Sequence, residues 1–173
     1  MQTPRVITET KRLTIRLLAE PDVPVLASIW SDPQVTHYMG GPRVFEELCS
    51  GFTQDLLTKP PKFDLWPVVE RSSGIVIGHC GLLPKTVDGG DEVELVYVIA
   101  AAFWGRGYAT EAAMAIRDCA FRSLGAARLV SLIDPLNRAS EKVAEKVGMK
   151  FDRDTVRANA KKMKVYAIAS PTA

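Results

Sequence analysis

The stretch WGRGYATEA, Trp104 to Ala112, sets two glycines one residue apart, with an arginine between them, directly before a run that reads as a helix start. Glycine is among the poorest helix formers, so its repetition at this position needs a reason. One reason is a tight strand-to-helix connection that requires positive φ. The other is a ligand that approaches the backbone closely. A helix N-terminus offers unpaired N–H groups and about half a positive charge, which suits a phosphate. The glycines alone leave both readings open.

Three phosphate-binding designs compete for this loop. A Walker loop needs Gly-Lys followed by Ser or Thr, and the chain has no such run. A dinucleotide-binding turn needs a third glycine directly after a first strand. Here Thr110 stands at that position, and the preceding segments read as an antiparallel meander. A coenzyme A pyrophosphate site needs only the cradle and a neighbouring groove.

Outward from the loop, strands and helices alternate. LTIRLL (Leu13–Leu18) is a strand, and two helices follow, one after Asp22 and one after Gly40-Gly41-Pro42. FDLWPVVE (Phe63–Glu70) is a strand that Pro67 marks as edge or bulged. IVIGHCGLL and EVELVYVI flank the turn residues Asp88–Asp91 and complete a meander. After the glycine loop come a helix from Tyr108 to Leu124, a buried strand Arg128–Ile133, and a helix ended by Gly148. Two strands, MKFDRD and KVYAIA, close the chain. The predicted order is β-α-α-β-β-β-α-β-α-β-β, an α/β fold with a mixed sheet in one domain over residues 1–173.

The totals exclude several classes. The chain has 173 residues with 22 basic and 20 acidic side chains, too balanced for bulk binding to nucleic acid or to an anionic membrane. Its three cysteines are widely spaced and form no CxxC pair, so neither a disulfide framework nor a metal site is expected. No apolar run has the length of a signal peptide or a membrane span. A cytoplasmic location is expected, as either a monomer or a homodimer.

FWGRGYATEA resembles the GNAT acetyltransferases, together with RLVSLIDPLNRASEKVAEKVGMKF downstream and TKRLTIRLL near the start. The nearer resemblance is to the branch that acetylates the N-termini of ribosomal proteins and similar amines. It covers about Glu9 to Ala169. The family's loop pattern falls on Trp104, Gly105-Arg106, Gly107, Tyr108 and Ala109, with Trp104 in place of the leading polar residue. The resemblance implies a mostly antiparallel sheet splayed between its fourth and fifth strands, flanked by four helices. It also implies acetyl-CoA as cosubstrate, no metal, and an amine acceptor that attacks directly. On that basis Tyr97, Val98 and Ile99 supply backbone groups to the pantetheine arm. Gly105, Arg106, Gly107, Tyr108, Ala109 and Thr110 hold the pyrophosphate, and Arg138 adds charge. Asn137 caps the following helix and bonds the same arm.

The chemistry needs a base and a proton donor. Glu94 is the candidate base, since a carboxylate on an otherwise apolar strand needs a partner or a task. The alternative is a salt-bridged glutamate near a charged turn. The tyrosine that many members carry in the last helix is Ala144 here; the branch resembled uses a serine at the start of that helix instead, which makes Ser140 the candidate acid. His79 and Cys80 are adjacent on a strand and face opposite ways, which rules out a Cys–His pair between them. His79 is a candidate acceptor contact. The acceptor groove is expected between the first two helices and Phe63–Trp66, with Glu46, Glu47, Asp64 and Asp88 as candidate negative charges. A peptide α-amine is the expected acceptor, with small amines or aminoglycosides second. The rivals are a non-catalytic acyl-CoA module on this fold and a protein that holds ATP or NAD in the glycine loop.

Overall fold

The computed structural model describes residues 4–171. Its strands are β1 (Val6–Glu9), β2 (Leu13–Arg16), β3 (Leu65–Glu70), β4 (Val76–Val87), β5 (Gly90–Ile99), β6 (Arg128–Ile133), β7 (Lys150–Val156) and β8 (Lys162–Ala169). Its helices are α1 (Asp22–Ser31), α2 (Pro33–Thr36), α3 (Phe45–Leu56), α4 (Tyr108–Arg122) and α5 (Arg138–Val147), with a 3₁₀ turn at Ala101–Phe103. All eight strands form one sheet in the order β1-β2-β3-β4-β5-β6-β8-β7. Every neighbouring pair is antiparallel except β5–β6.

Strand alternation builds the two faces. On one, Cys80, Leu82, Leu95 and Ile99 pack with Ala112, Ala113 and Ile116 of α4 and with Ala144 and Val147 of α5. On the other, Val69, Val76 and Val98 pack with Leu26, Ile29 and Trp30 of α1, with Leu48 and Phe52 of α3 half-buried beside them. The β4–β5 hairpin turns on Asp88 and Gly89 with φ of 51° and 81°, the double left-handed geometry of a type I′ turn.

Three details refine the sequence expectation. β1 is an additional edge strand, and its burial alternates too weakly to mark an inward face. β3 lies inside the sheet and carries an irregularity at Val68–Val69, so of the two readings of Pro67 it is the bulged one that holds. Pro67 is tolerated there because β2 pairs only with Val68–Glu70, and the β3–β4 register shifts between Val68 and Val69. The Asp32-Pro33 pair starts a fifth helix as well as ending one. The Asp32 carboxylate accepts from Gln34 N at 2.8 Å, and Pro33 takes the first helical position.

At Gly81 the backbone entering β3 lies directly against β4. A Cβ there would stand 2.0 Å from the Asp64 carbonyl oxygen and 2.8 Å from Leu65 Cα, both backbone atoms that cannot rotate away. Gly81→Ala therefore costs about 3 kcal/mol. Thermal unfolding should fall by roughly 10 °C, and a midpoint within about 2 °C of the parent would show that β3 shifts freely.

Candidate active site

Gly105 and Gly107 have φ of 74° and 79°, so the turn does require positive φ. The space beside them is also open. A Cβ on Gly105 meets nothing within 4 Å, and one on Gly107 meets only Arg12 Nη2 at 3.6 Å. Gly107 is the N-cap of α4 and supplies no side-chain cap. The N–H groups of Tyr108, Ala109 and Thr110 therefore have no carbonyl one turn back to bond. Turn geometry and an uncapped helix end with open space before it coexist at this loop.

Arg12 braces the cradle from beneath. Its Nη1 donates to the Arg106 carbonyl at 2.9 Å, its Nε donates to Glu111 at 2.6 Å, and its guanidinium lies 4.4 Å from the Tyr108 ring centroid. Sequence reasoning missed Arg12. It lies far from the loop in the chain, and no local pattern separates it from a solvated arginine. The Tyr108 side chain is buried and donates its hydroxyl to Glu70, which leaves only the backbone of this residue at the open side of the loop. Arg106 is exposed and stacks over Phe103 at 5.3 Å. Arg138 pairs with Glu141 at 2.6 Å on α5.

β5 and β6 diverge. Their ladder has a single registered pair, Glu94 with Val130. Ser131 Oγ then donates to the Leu95 carbonyl at 2.8 Å, and the strands part beyond it. Ala100 N bonds Ile77 O, so ladder alternation turns the backbone groups of Val96 and Val98 toward β4. Those of Leu95, Tyr97 and Ile99 turn toward the gap. Val98 is thus corrected as a backbone contact for a ligand in the cleft, because its polar groups are spent within the sheet. The Ile99 carbonyl accepts from Trp104 Nε1 at 2.7 Å, which leaves Tyr97 as the freest of the three.

A cavity of about 230 Å³ lies at the divergence and brings together Glu94, Tyr97, Ser131, Asn137, Ser140 and Arg157. Glu94 is buried, with Lys85 Nζ at 3.7 Å and Arg157 Nη2 at 4.0 Å. Burial holds its carboxyl above the ordinary range, and the two cations only partly offset this. Both readings of Glu94 therefore have a structural counterpart: it has salt-bridge partners, and its carboxyl takes up a proton more readily than an ordinary glutamate. Asn137 caps α5 by accepting from Ser140 N at 3.1 Å. Tyr97 donates its hydroxyl to the Ser140 carbonyl at 2.9 Å, and Ser140 Oγ donates to the Tyr97 oxygen at 3.0 Å. Burial pushes the Tyr97 phenol up, so it stays protonated at neutral pH. The Tyr97 side chain is a second addition to the expected set, visible only once α5 is folded against β5.

A second cavity, about 510 Å³, opens between α1, α3 and β4. Its walls are chiefly apolar, with Trp30, Leu48 and Phe52 among them, and Asp55, Asp64, Arg43 and His79 are its polar side chains of interest. It shares Trp30, Arg43, Leu65 and Leu83 with the first cavity, so the two adjoin. Burial raises the Asp64 carboxyl above the ordinary range, and the neighbouring Asp55 adds to this. Of the expected carboxylates, Asp64 is in place. Glu46 and Glu47 are exposed on the first turn of α3, and neither lines the cavity. Asp88 is held at the far hairpin by Arg153 at 2.9 Å and Thr155 at 2.6 Å. Cys80 is buried on the opposite face from His79, as alternation requires.

Among known proteins, the acetyltransferase (GNAT) domain model matches residues 12–150. An uncharacterized protein of Bacillus subtilis, YkkB, is 31% identical over 159 residues, covering 91% of this chain and 92% of the relative. The crystal structure of an acetyltransferase from Agrobacterium tumefaciens is 31% identical with a TM-score of 0.77, covering 97% of this chain and 95% of that one. RimL, a ribosomal L7/L12 α-N-protein acetyltransferase solved in complex with coenzyme A, superposes with a TM-score of 0.77 at 15% identity, covering 95% and 98% of the two chains. The domain match spans most of the chain, and the splayed strands and glycine loop lie where the resemblance placed them, so this chain belongs to the GNAT acetyltransferase family.

Proposed function

We propose that this enzyme acetylates the α-amine of a peptide chain, with acetyl-CoA as donor. The observation that carries the reading is the placement of Glu94. A buried carboxylate stands at the vertex of the split sheet, in a cavity that adjoins a second, carboxylate-bearing one. The cradle fits a diphosphate, because its glycines leave open space and its helix end is uncapped. Tyr97 turns its backbone groups into the gap and suits an extended amide-bearing arm there. Acetyl-CoA supplies an activated thioester carbonyl.

Glu94 accepts the proton that the acceptor's ammonium must lose before its neutral amine attacks, directly or through a water. Ser140 Oγ, at the N-terminus of α5, turns its one proton from the Tyr97 oxygen to the departing sulfur and regains one from the nitrogen of the tetrahedral adduct. Tyr97 is a positioning residue. Its bond to the Ser140 carbonyl fixes the first turn of α5, and its oxygen receives the Ser140 proton until a thiolate departs. Asp64 and Asp55 attract a cationic acceptor.

An α-amine suits this modest acid–base equipment. With a pKa of about 7.7–8.0 it is about one-third neutral at pH 7.5, whereas a lysine near 10.4 is about 0.1% neutral. Coenzyme A release should therefore be faster with short free N-terminal peptides than with N-blocked peptides that carry lysine. Equal rates on the blocked peptides, or turnover confined to aminoglycosides, would remove the peptide reading and leave acetyl transfer intact.

A further inference from the structure

We infer that the cavity between α1, α3 and β4 is a specificity pocket for the first residue of the acceptor: it takes a large apolar side chain, and His79 donates from Nε2 to that residue's carbonyl oxygen. This rests on the peptide reading above and narrows it to a class of N-termini.

The state of His79 follows from its partner. Trp30 Nε1 approaches His79 Nδ1 at 3.1 Å, and an indole nitrogen can only donate. Nδ1 must therefore accept. Burial pushes the His79 pKa down to about 3, so the ring is neutral and its single proton sits on Nε2. No described residue accepts a hydrogen bond from that nitrogen. Among the described residues, the sealed and unpartnered side-chain polar atoms are Ser31 Oγ and Arg157 Nε. His79 Nε2 is not one of them, and His79 lines the cavity while only 3% exposed. A buried, orientation-locked donor thus opens onto the pocket with nothing to receive its proton. Phe52 meets the imidazole edge-on at 5.6 Å and helps fix its plane.

The surroundings select the occupant. Leu48, Phe52 and Leu56 on α3 face Trp30 and Leu65, so a polar or very small side chain would leave these walls unfilled. Asp55 and Asp64 favour the ammonium and oppose an acidic first residue. The one arginine on the wall does not neutralise them for a ligand. Arg43 donates to the Met39 carbonyl at 2.8 Å and to the Gly41 carbonyl, and stacks over Trp30 at 5.6 Å. An apolar side chain, an ammonium and a carbonyl oxygen occur together at the start of a peptide. They do not occur together in an aminoglycoside, which has no apolar branch to fill these walls.

The test uses three small acceptors. Leucinamide has the side chain and the carbonyl, glycinamide has the carbonyl alone, and 3-methylbutylamine has the side chain alone. Leucinamide should exceed glycinamide in kcat/KM by about 30-fold. His79→Asn keeps an amide oxygen near Nδ1 for Trp30 but places no donor at the Nε2 position. The ratio of leucinamide to 3-methylbutylamine rates should fall about 10-fold in that variant. His79→Gln, whose amide nitrogen reaches the Nε2 position, should restore the ratio. Equal wild-type rates on leucinamide and glycinamide overturn the pocket assignment without needing any variant to fold. An unchanged ratio in a folded Asn variant overturns the role of His79. Turnover on 3-methylbutylamine with none on either amide overturns the peptide reading itself, and so separates the two claims.

Discussion

Glu94→Gln should lower kcat by about 10²–10⁴-fold at neutral pH, the usual worth of a general base. The sign of the pH effect follows from the surroundings of this carboxyl. Burial raises its pKa, while Lys85 and Arg157 oppose that, so it loses its proton later than an ordinary glutamate. The parent rate should fall as pH drops through that raised value, because a protonated Glu94 cannot accept. In the variant this limb vanishes, and the rate follows the acceptor amine's own ionisation instead. The defect should therefore shrink as pH rises above about 8, where α-amines deprotonate unaided. Stability separates chemistry from misfolding. A raised folded-state pKa means that the fold disfavours ionised Glu94 above the unfolded-state pKa. The neutral amide should leave the melting temperature at neutral pH equal to or above the parent value. A folded variant with parental turnover at pH 7 would give proton acceptance to water or to the backbone.

The glycine loop was legible because its signal is local. Two glycines and a helix start lie within nine residues, and both torsions and open space came out as the loop required. The hairpin over Asp88-Gly89, the buried strand at Arg128 and the Asn137 cap share this quality. What the sequence hid is long-range. Arg12 reaches Arg106 and Glu111 across some 94 to 99 residues of chain. Tyr97 reaches Ser140 across 43, and Trp30 reaches His79 across 49. Nothing in the local pattern of either partner announces such a bond. The acceptor charges show the same limit. Glu46 and Asp64 look alike in sequence, yet helix phase turns Glu46 outward while the start of β3 turns Asp64 into the cavity. Val98 failed for a subtler reason. Its position in the cleft strand was right, but the alternation of ladder bonds, set by register with β4, decides which backbone groups face the gap.

Gly107→Val should raise the Kd for acetyl-CoA by about 100-fold or more, measured by calorimetry, while the protein stays folded. Two effects are built into this substitution, and they must be kept apart. Valine at φ of 79° is strained, at a cost of about 1–2 kcal/mol. That strain is local, because Ala112, Ala113 and Ile116 anchor α4 in the core a turn or more away. The second effect is steric and falls on the ligand side. A Cβ at this position has only Arg12 Nη2 as a protein neighbour, at 3.6 Å, which is ordinary contact. Its branches would therefore point where phosphate oxygens must sit against the first-turn N–H groups. Gly107→Asn distinguishes the two, since asparagine enters the left-handed region at little cost but still places a side chain in the cradle. Weak binding in both variants with little change in melting temperature makes the open space the essential property. Parental affinity in Gly107→Asn, with weak binding only in the strained valine variant, would reduce the loop to a turn and move the diphosphate elsewhere on the protein.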